Sequence, residues 1–434
     1  MRSPSAITSP SQVHQPSYPF TARSILPVFL VVGVASALAD VPPLFHPNAG
    51  SLLNQATPPA AVPTLPSSTL PALPDEAIGK PVPDGAKVRV SRFVLEGVSL
   101  LPAEPLQAQL SDLIGQELGL ADLRKAATRV TAFYREQGYF LARAYLPTQD
   151  IADGVVRIAV LEGRYGAVET GGSPRLEQQH AQGILDAHQV GAGQPIERSA
   201  LERSLILLEQ RGGAPVRAVM QPGATVGTSH MVIEAPAGPL FSGQIGADNY
   251  GNRYSGQNRA TALLNLNSPR GVGDFASLWL MKSRDSDAVF AAYQTPVGYQ
   301  GLTLGASYSQ FNYQLCCEFA PLDQEGYAKV FGLQARYPLI LSQRRILNAG
   351  LSFERKRLND SSALGELSDK DANVVILSLD GVAATASGQN RYQLALAGGD
   401  LNISGPPAHV QANAATVDTA GRYLKLRGDY QYLH

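Results

Sequence analysis

The residues that could perform chemistry stand in arrangements that predict no catalytic centre. Cys316 and Cys317 are adjacent, so they supply neither a disulfide framework nor the spacing of a metal site; a ring disulfide and a pair of inert thiols both fit. His180 and His188 lie on one predicted helix, where surface residues are more typical than a ligand pair. The chain has no nucleophile elbow, Walker loop or HExxH motif. We therefore predict a protein without enzymatic activity, bound metal or cofactor.

Composition narrows the class of protein further. Charged residues make up 16% of the chain and the net charge is -1, which excludes a nucleic-acid binder that relies on bulk positive charge. Beyond the N-terminal region, no segment approaches the roughly 20 uninterrupted apolar residues of a membrane-spanning helix. A helical membrane protein is therefore excluded, and no nucleic-acid partner is expected.

From Leu240 to His434 the sequence alternates between apolar and polar residues. One segment sets Leu347, Ala349, Leu351 and Phe353 against Asn348, Gly350, Ser352 and Glu354. The alternating segments are weakly hydrophobic, rich in Gly and Tyr, and joined by alternately short and long connections. This pattern is typical of an outer-membrane β-barrel, whose strands turn apolar side chains to lipid and polar ones to a lumen.

Ten strands are predicted in this region, each close to the length that a tilted strand needs to cross a bilayer. They cover residues 240–250, 257–267, 274–283, 287–295, 301–312, 326–338, 345–357, 372–384, 390–401 and 421–433. Long outer loops are expected at 315–325, 359–371 and 402–420. Lumen-side polar residues would line a wet path: Asn265, Asn267, Gln334, Arg336, Asn348, Glu354, Lys425 and Arg427.

The start of the chain has the features of an export signal. Residues 1–39 contain Arg2 and Arg23, an apolar stretch and a small-x-small end, which predicts a cleaved signal peptide. Residues 40–86 are rich in proline and read as an extended linker. Within it, residues 48–56 form either part of a disordered linker or a two-turn helix with Leu52 and Leu53 on one side. Such a short helix needs a pocket to sit in.

Two units of similar topology follow, at residues 87–164 and 165–238, before the strand-rich region 239–434. Each is predicted to run β-α-α-β-β, with a period of about 75 residues. The first unit has strands at 88–95, 140–146 and 155–161 and helices at 106–114 and around 123–134. The second has strands at 165–170, 216–220 and 229–234 and helices at 176–188 and 197–210.

Several motifs in these units and strands resemble those of one known family. The segment Gly138-Tyr139, Asp153-Gly154, Glu162-Gly163 is similar to the signature of a POTRA domain. Asp248-Asn-Tyr-Gly251, the run from Asn265 to Asp274, and Tyr293-Gln-Thr-Pro-Val-Gly298 resemble opening barrel strands of the TpsB transporters of two-partner secretion. These are the haemolysin secretion/activation proteins of the Omp85 superfamily. The resemblance runs from about residue 48 to 434.

The resemblance implies an outer-membrane translocator with its POTRA-like units in the periplasm. Its partners would be outer-membrane lipid and a secreted exoprotein of haemolysin or adhesin type, with an N-terminal secretion domain, exported unfolded without ATP by a monomer. The helix at 48–56 would be the family's plug helix. An Omp85-type assembly factor is the alternative, and a passive porin a third.

An unfolded client could add a strand to an exposed edge of a POTRA-like sheet. The candidate edges are 140–146 and 216–220, with the residues Phe140, Leu141, Arg143, Tyr145, Val216, Arg217 and Val219.

TpsB barrels have sixteen strands and an arginine-bearing VRG[YF] loop, whereas this chain supplies about ten strands and no such loop. Leu426-Arg427-Gly428-Asp429 only echoes the motif and is predicted to lie in the middle of a strand. An open sheet would leave unpaired edges in hydrocarbon. We therefore expect either a fragment of a longer chain, which we favour, or a smaller barrel.

Overall fold

The computed structural model describes residues 47–53, 64–71, 87–171, 175–416 and 418–434. The predicted signal peptide and much of the proline-rich linker lie outside these residues. No helix in the described part of the chain is long and apolar enough to cross a membrane. The first element is a short helix, α1 (Ala49–Leu53).

The first α/β module packs two helices against a three-stranded sheet. Its elements are β1 (Val88–Arg89), β2 (Arg92–Glu96), α2 (Ala103–Ala108), β3 (Glu117–Leu118), α3 (Leu120–Glu136), β4 (Arg143–Tyr145) and β5 (Val155–Leu161). In the sheet, β5 is central, parallel to β2 and antiparallel to β4. Helix α3 buries Leu123, Ala127, Val130 and Tyr134, the stripe predicted by its helical spacing.

Two boundaries predicted in this module are wrong. The helix predicted at 106–114 starts earlier, because Pro105 is tolerated in a first helical turn, and it ends at Ala108. A separate 3-10 turn follows at Ser111–Leu113. The strand predicted at 140–146 is reduced to β4, because Gly138 (φ +95°) starts a turn that the amide of Ala142 closes on the carbonyl of Tyr139.

The second module repeats the arrangement. It contains β6 (Arg164–Gly171), α4 (Gln178–Ala187), α5 (Arg198–Gly212), β7 (Arg217–Pro222) and β8 (Thr228–Glu234). Strand β8 is central, with β6 parallel and β7 antiparallel to it. Helix α5 buries Leu201, Leu205 and Leu208, and ends at Gly212; the next residue, Gly213, has a φ of +72° that suits a glycine C-cap.

The remaining strands form one ten-stranded antiparallel sheet in which each strand pairs with the next. They are β9 (Phe241–Asp248), β10 (Arg259–Asn267), β11 (Phe275–Lys282), β12 (Ser286–Pro296), β13 (Thr303–Gln314), β14 (Glu325–Leu341), β15 (Arg345–Ser362), β16 (Gly365–Ala384), β17 (Gln389–Ser404) and β18 (Gly421–Leu433). The ten predicted strands are therefore all present. The two edge strands of the described sheet are β9 and β18.

The connections of this sheet differ from prediction at two loops. The long loop expected at 359–371 is mostly strand, because β15 and β16 continue to pair up to Ser362 and Gly365. Ion pairs such as Arg357–Asp371 stabilise this polar extension, which hydrophobic alternation alone does not reveal. The loop expected at 402–420 contains a helix, α6 (Pro407–Thr416). Cys316 and Cys317 form a ring disulfide between β13 and β14.

Pairing register divides the sheet into two faces. We call the face that carries α1 the inner face and the opposite one the outer face. Exposed outer-face residues are apolar across the sheet: Leu264, Leu278, Leu304, Phe331, Leu333, Leu351, Phe353, Leu377, Leu394 and Leu426. A soluble monomer rarely exposes so extensive an apolar surface, whereas a lipid-facing strand requires one.

One carboxylate organises the first module. Glu162, 7% exposed, accepts hydrogen bonds from the amides of Ser99 (2.6 Å) and Leu100 (2.8 Å) and from the hydroxyl of Tyr134 (2.9 Å). Burial works to raise the pKa of Glu162, but these hydrogen bonds outweigh it and hold the pKa below its ordinary value. A lowered carboxyl pKa stabilises the fold at neutral pH, and this stabilisation is lost as pH falls through the folded-state pKa.

We predict that Glu162→Gln lowers the free energy of local opening by about 1–3 kcal/mol, because the amide cannot accept all these hydrogen bonds. The variant should also lose the acid sensitivity of the module. Hydrogen exchange of β5 amides in the full chain, measured from neutral to acidic pH, checks both effects. Exposed Glu136→Gln on α3 is the matched control. Unchanged acid sensitivity in Glu162→Gln would show that another group is responsible.

Candidate functional site

Helix α1 sits on the inner face of the ten-stranded sheet. Ala49 and Leu52 are 0% and 1% exposed, and Leu53 is half-buried. Around them lies a cluster of apolar side chains from adjacent strands: Trp279, Met281, Ala288, Phe311, Tyr313 and Ala328. Because inner-face positions elsewhere are largely polar, this cluster is a local seat for the helix.

Hydrogen bonds fix the start of α1. The side chain of Asn48 accepts from the amide of Ser51 (3.0 Å), and the Ser51 hydroxyl accepts from the amide of Asn48 (3.0 Å), as in a capping box. The amide of Ala49 donates to Oδ1 of Asp360 on β15 (2.8 Å). Tyr313 on β13 donates its hydroxyl to the same buried oxygen. Asp360 therefore anchors the helix to the sheet.

The second module docks onto the turns at one end of the sheet. Arg203 on α5 donates to the carbonyls of Gln300 and Pro338, both at 2.9 Å. Arg211 on the same helix donates to the carbonyl of Gly298 (3.2 Å), and burial lowers the pKa of its guanidinium to about 10. Gly273 lies so close that a Cβ there would approach the Cβ of Arg211 to 2.5 Å. These contacts fix which end of the sheet faces the modules.

A cavity of about 460 Å³ opens where this module meets the inner face. Among its lining residues are Arg211 from the module and Asn267, Arg336 and Asn348 from the sheet. Asp380 forms an ion pair with Arg336 and accepts from the amide nitrogen of Asn348 (3.1 Å). The cavity is thus a polar entrance onto the inner face.

All eight residues predicted to line a pore belong to the inner face by register. Asn265 pairs with Ser277 next to the Leu263–Trp279 pair, which places it on the side of α1. Across the other strands the same face carries Gln334, Arg336, Asn348, Glu354, Lys425 and Arg427. They do not form one cluster, since Asn265 and Asn267 are on β10 and Lys425 and Arg427 on β18.

Of the predicted edge at 140–146, only β4 lies at the edge of its sheet. Phe140 is 3% exposed and joins the core of the second module, where the guanidinium of Arg198 covers its ring at 5.1 Å. Leu141 packs against the same core, so neither residue belongs to a strand edge. Arg143 and Tyr145 are exposed on β4, but the amide of Ala144 between them donates to the hydroxyl of Thr131 on α3 (2.9 Å).

The predicted edge at 216–220 lies in an edge strand, and a residue of the linker pairs with it. Val216 is buried, Arg217 exposed and Val219 half-buried, and β7 is the edge strand of its sheet. Thr69 from the linker pairs in parallel with Arg217, donating to the carbonyl of Val216 (3.2 Å) and accepting from the amide of Ala218 (3.4 Å). The sequence gives one faint signal for this contact, the proline-free run Ser67-Ser-Thr-Leu70 in a proline-rich segment.

We predict that Asp360→Ala loosens α1, because the buried amide of Ala49 loses its acceptor. The cost of about 1–3 kcal/mol corresponds to labelling of a cysteine introduced at Leu53 that is faster by roughly fivefold to 150-fold. Maleimide labelling in lipid measures this rate; the native cysteines are oxidised. Asp360→Asn, which keeps an acceptor, and Asp371→Ala, at a half-buried position away from α1, are controls. Equal labelling of wild type and Asp360→Ala would contradict the anchor.

Comparison with known proteins fits this geometry. The profile of the POTRA domain, ShlB-type, matches residues 88–163, and that of the haemolysin secretion/activation protein ShlB/FhaC/HecB matches residues 227–431. The chain is 26% identical to the heme/hemopexin transporter protein HuxB of Haemophilus influenzae over 253 residues, 58% of this chain and 45% of HuxB. It is 25% identical to the hemolysin transporter protein ShlB of Serratia marcescens over 293 residues, 66% of this chain and 50% of ShlB.

Solved structures show the same fold. CdiB from Escherichia coli superimposes with a TM-score of 0.63 at 19% identity, over 75% of this chain and 61% of that one. CdiB from Acinetobacter baumannii gives 0.57 at 16% identity, over 89% and 75%. The chain spans about half the length of the curated relatives. The modules are thus POTRA domains of the periplasm, the sheet is an outer-membrane β-barrel sheet, and the chain belongs to the haemolysin secretion/activation protein family.

Proposed function

We propose that this protein is an outer-membrane translocator that accepts an unfolded exoprotein in the periplasm and passes it outward along the inner face of its sheet. The observation that carries the proposal is helix α1, seated on the inner face by Asp360 and an apolar cluster. A short helix held by few hydrogen bonds can be displaced from the inner face, whereas an element of the structural core would be held by many.

The polar lining supports passage of an extended chain. The inner face carries Gln334, Ser352 and Glu354 on neighbouring strands, and the entrance cavity adds Arg336 and Asn348. Hydrogen-bonding and charged side chains keep such a path hydrated. The backbone groups of a client therefore remain hydrogen-bonded to water or to these side chains, and do not enter hydrocarbon.

Folding of the exoprotein outside the cell supplies the free energy for export. The sequence has no nucleotide-binding loop, and a periplasmic client meets no ATP there. An exoprotein that folds after emerging is removed from the equilibrium of unfolded chains, which makes passage directional by mass action.

Client recognition falls to a strand edge of a POTRA domain. Main-chain pairing reads little sequence, which suits an extended client. Strand β4 is three residues long and its central amide already bonds Thr131, so it offers little. Strand β7 spans six residues and is the better template. Relatives carry names for different cargoes, hemolysin and heme/hemopexin, so the client is proposed only as an exoprotein.

We predict that deleting residues 87–234 abolishes export of every protein whose appearance in the medium depends on the full chain. Without the POTRA domains, the client has no edge at which to pair. Quantitative mass spectrometry of the medium checks this, with cells lacking the protein as reference.

Heat-modifiable electrophoresis is the control that the deleted variant still forms its sheet in the outer membrane. Unchanged export would refute the proposal. If the loss falls instead on other outer-membrane barrels, the protein is an assembly factor.

A further inference from the structure

The outer face of the sheet carries three neighbouring cations beside its apolar surface. Lys329 on β14 and Arg357 on β15 are direct cross-strand partners, and Arg355 is the next outer-face residue on β15. Like charges that face each other across a sheet repel, so this arrangement needs anions. Arg357 has its Nε 2.9 Å from Asp371. In the described part of the chain, neither Lys329 nor Arg355 has a carboxylate within ion-pair distance.

The inner face shows how the chain neutralises a cation when it does so itself. Lys356 lies between the two arginines in sequence and belongs to the inner face, where Glu354 pairs with it at 2.7 Å. On the outer face, the Nζ of Lys329 lies 4.6 Å from the ring centroid of Tyr327, which orients the ammonium group without cancelling its charge. The outer-face cations therefore need an anion from outside the chain.

The cations lie at the level of a lipid headgroup. The second POTRA domain contacts Pro338, at the periplasmic end of β14. Lys329 is nine residues away along this strand. At about 3.4 Å per residue and a tilt of about 40°, it stands roughly 23 Å from the periplasmic turn, close to the apolar height of about 25 Å of an outer-membrane barrel. Between the two levels the same strands expose Phe331, Leu333 and Phe353.

A polar cavity of about 510 Å³ opens on the extracellular side of the cations. Its lining includes Asn312, Tyr327 and Asn359, which form one outer-face row of the sheet. The side chain of Asn359 makes no hydrogen bond to any described residue. Asp287 and Glu325 add carboxylates, which accept hydrogen bonds from hydroxyl groups and repel a phosphate. The cavity therefore suits a headgroup rich in hydroxyls, such as a sugar.

We propose that this surface of β13, β14 and β15 binds a phosphorylated glycolipid. The acyl chains lie along the apolar residues, the phosphate bridges Lys329, Arg355 and Arg357, and the sugar occupies the cavity. Ammonium and guanidinium groups bind phosphate oxygens through charge-assisted hydrogen bonds. A lipid without a sugar leaves the cavity unused, and free phosphate leaves the apolar residues uncovered. The inference is independent of the proposed function, because it concerns the lipid-facing surface and not the path of a client.

Removing the two unpaired charges tests the site. Lys329→Gln/Arg355→Gln should bind the glycolipid at least roughly tenfold more weakly, because it loses charge-assisted hydrogen bonds to the phosphate. Native mass spectrometry of the full chain in phosphatidylcholine nanodiscs measures binding, with an acylated, bisphosphorylated glucosamine disaccharide as the probe. The matched control is Lys356→Gln on the inner face, and Lys329→Arg/Arg355→Lys should bind like wild type because it keeps both charges. Equal affinity of the double glutamine variant and Lys356→Gln would overturn the proposal, as would no binding to wild type.

Related probes separate the groups that the site recognises. The dephosphorylated glycolipid and phosphatidic acid, which has no sugar, should each bind wild type more weakly than the intact glycolipid. Asn359→Ala should weaken glycolipid binding by roughly threefold and leave phosphatidic acid binding unchanged. Equal binding of the three lipids, or displacement of the glycolipid by inorganic phosphate, would overturn the proposal. If the chain instead self-associates through this surface in pure phosphatidylcholine, and the double glutamine variant does not, the occupant is a second copy and the proposal fails.

Discussion

A backbone N–H or C=O group in hydrocarbon has no water to bond, so strands that cross a bilayer have to be paired. In the described sheet every strand from β10 to β17 meets this requirement by pairing with its sequence neighbours on both sides, and β9 and β18 are each paired on one side. In the periplasm water can satisfy the same groups, so strand edges there remain available for partners. The sheet therefore pairs its backbone groups within the chain, whereas strand edges of the POTRA domains can pair with a partner. The proposed function follows from that difference.

On the inner face a second requirement is added to the pairing of backbone groups. A polar path has to be filled while no client passes through it. Apolar side chains are confined to the seat beneath α1, and Asp360 supplies the single strong acceptor for the helix amide. Few hydrogen bonds are enough to hold α1 on the sheet because the helix is short. An element that has to be displaced must also be held by few bonds. Docking of Arg203 and Arg211 onto the turns, by contrast, gives the second POTRA domain a fixed place at the entrance.

Sequence predicted the features that arise locally. A period of two residues in side-chain direction placed the strands of the sheet, and helical spacing placed Leu201, Leu205 and Leu208 in the core of α5. The polar extension of β15 and β16 was not predicted, because strand pairing outside the lipid does not require apolar and polar residues to alternate. Phe140 was assigned to a strand because its apolar neighbours resemble one, whereas Gly138 and Arg198 turn it into an inter-module contact.

The contacts that matter most for function could not be predicted because their partners are remote in the chain. Ser68 and Glu209 are 141 residues apart, and Ala49 and Asp360 are 311 apart. Neither pair leaves a periodic or spacing signal in a single sequence. The inner-face residues could be named because alternation fixes a face, but alternation does not say which of them meet.

The most direct test of the central claim is photo-crosslinking of an exoprotein arrested during export by this chain. Photoreactive residues would replace Gln334 or Ser352 on the inner face, and Leu333 or Leu351 on the outer face of the same strands. If the client passes along the inner face, the two inner-face positions cross-link to it and the outer-face positions do not. A client that is exported without any cross-link to the inner face would contradict passage along it.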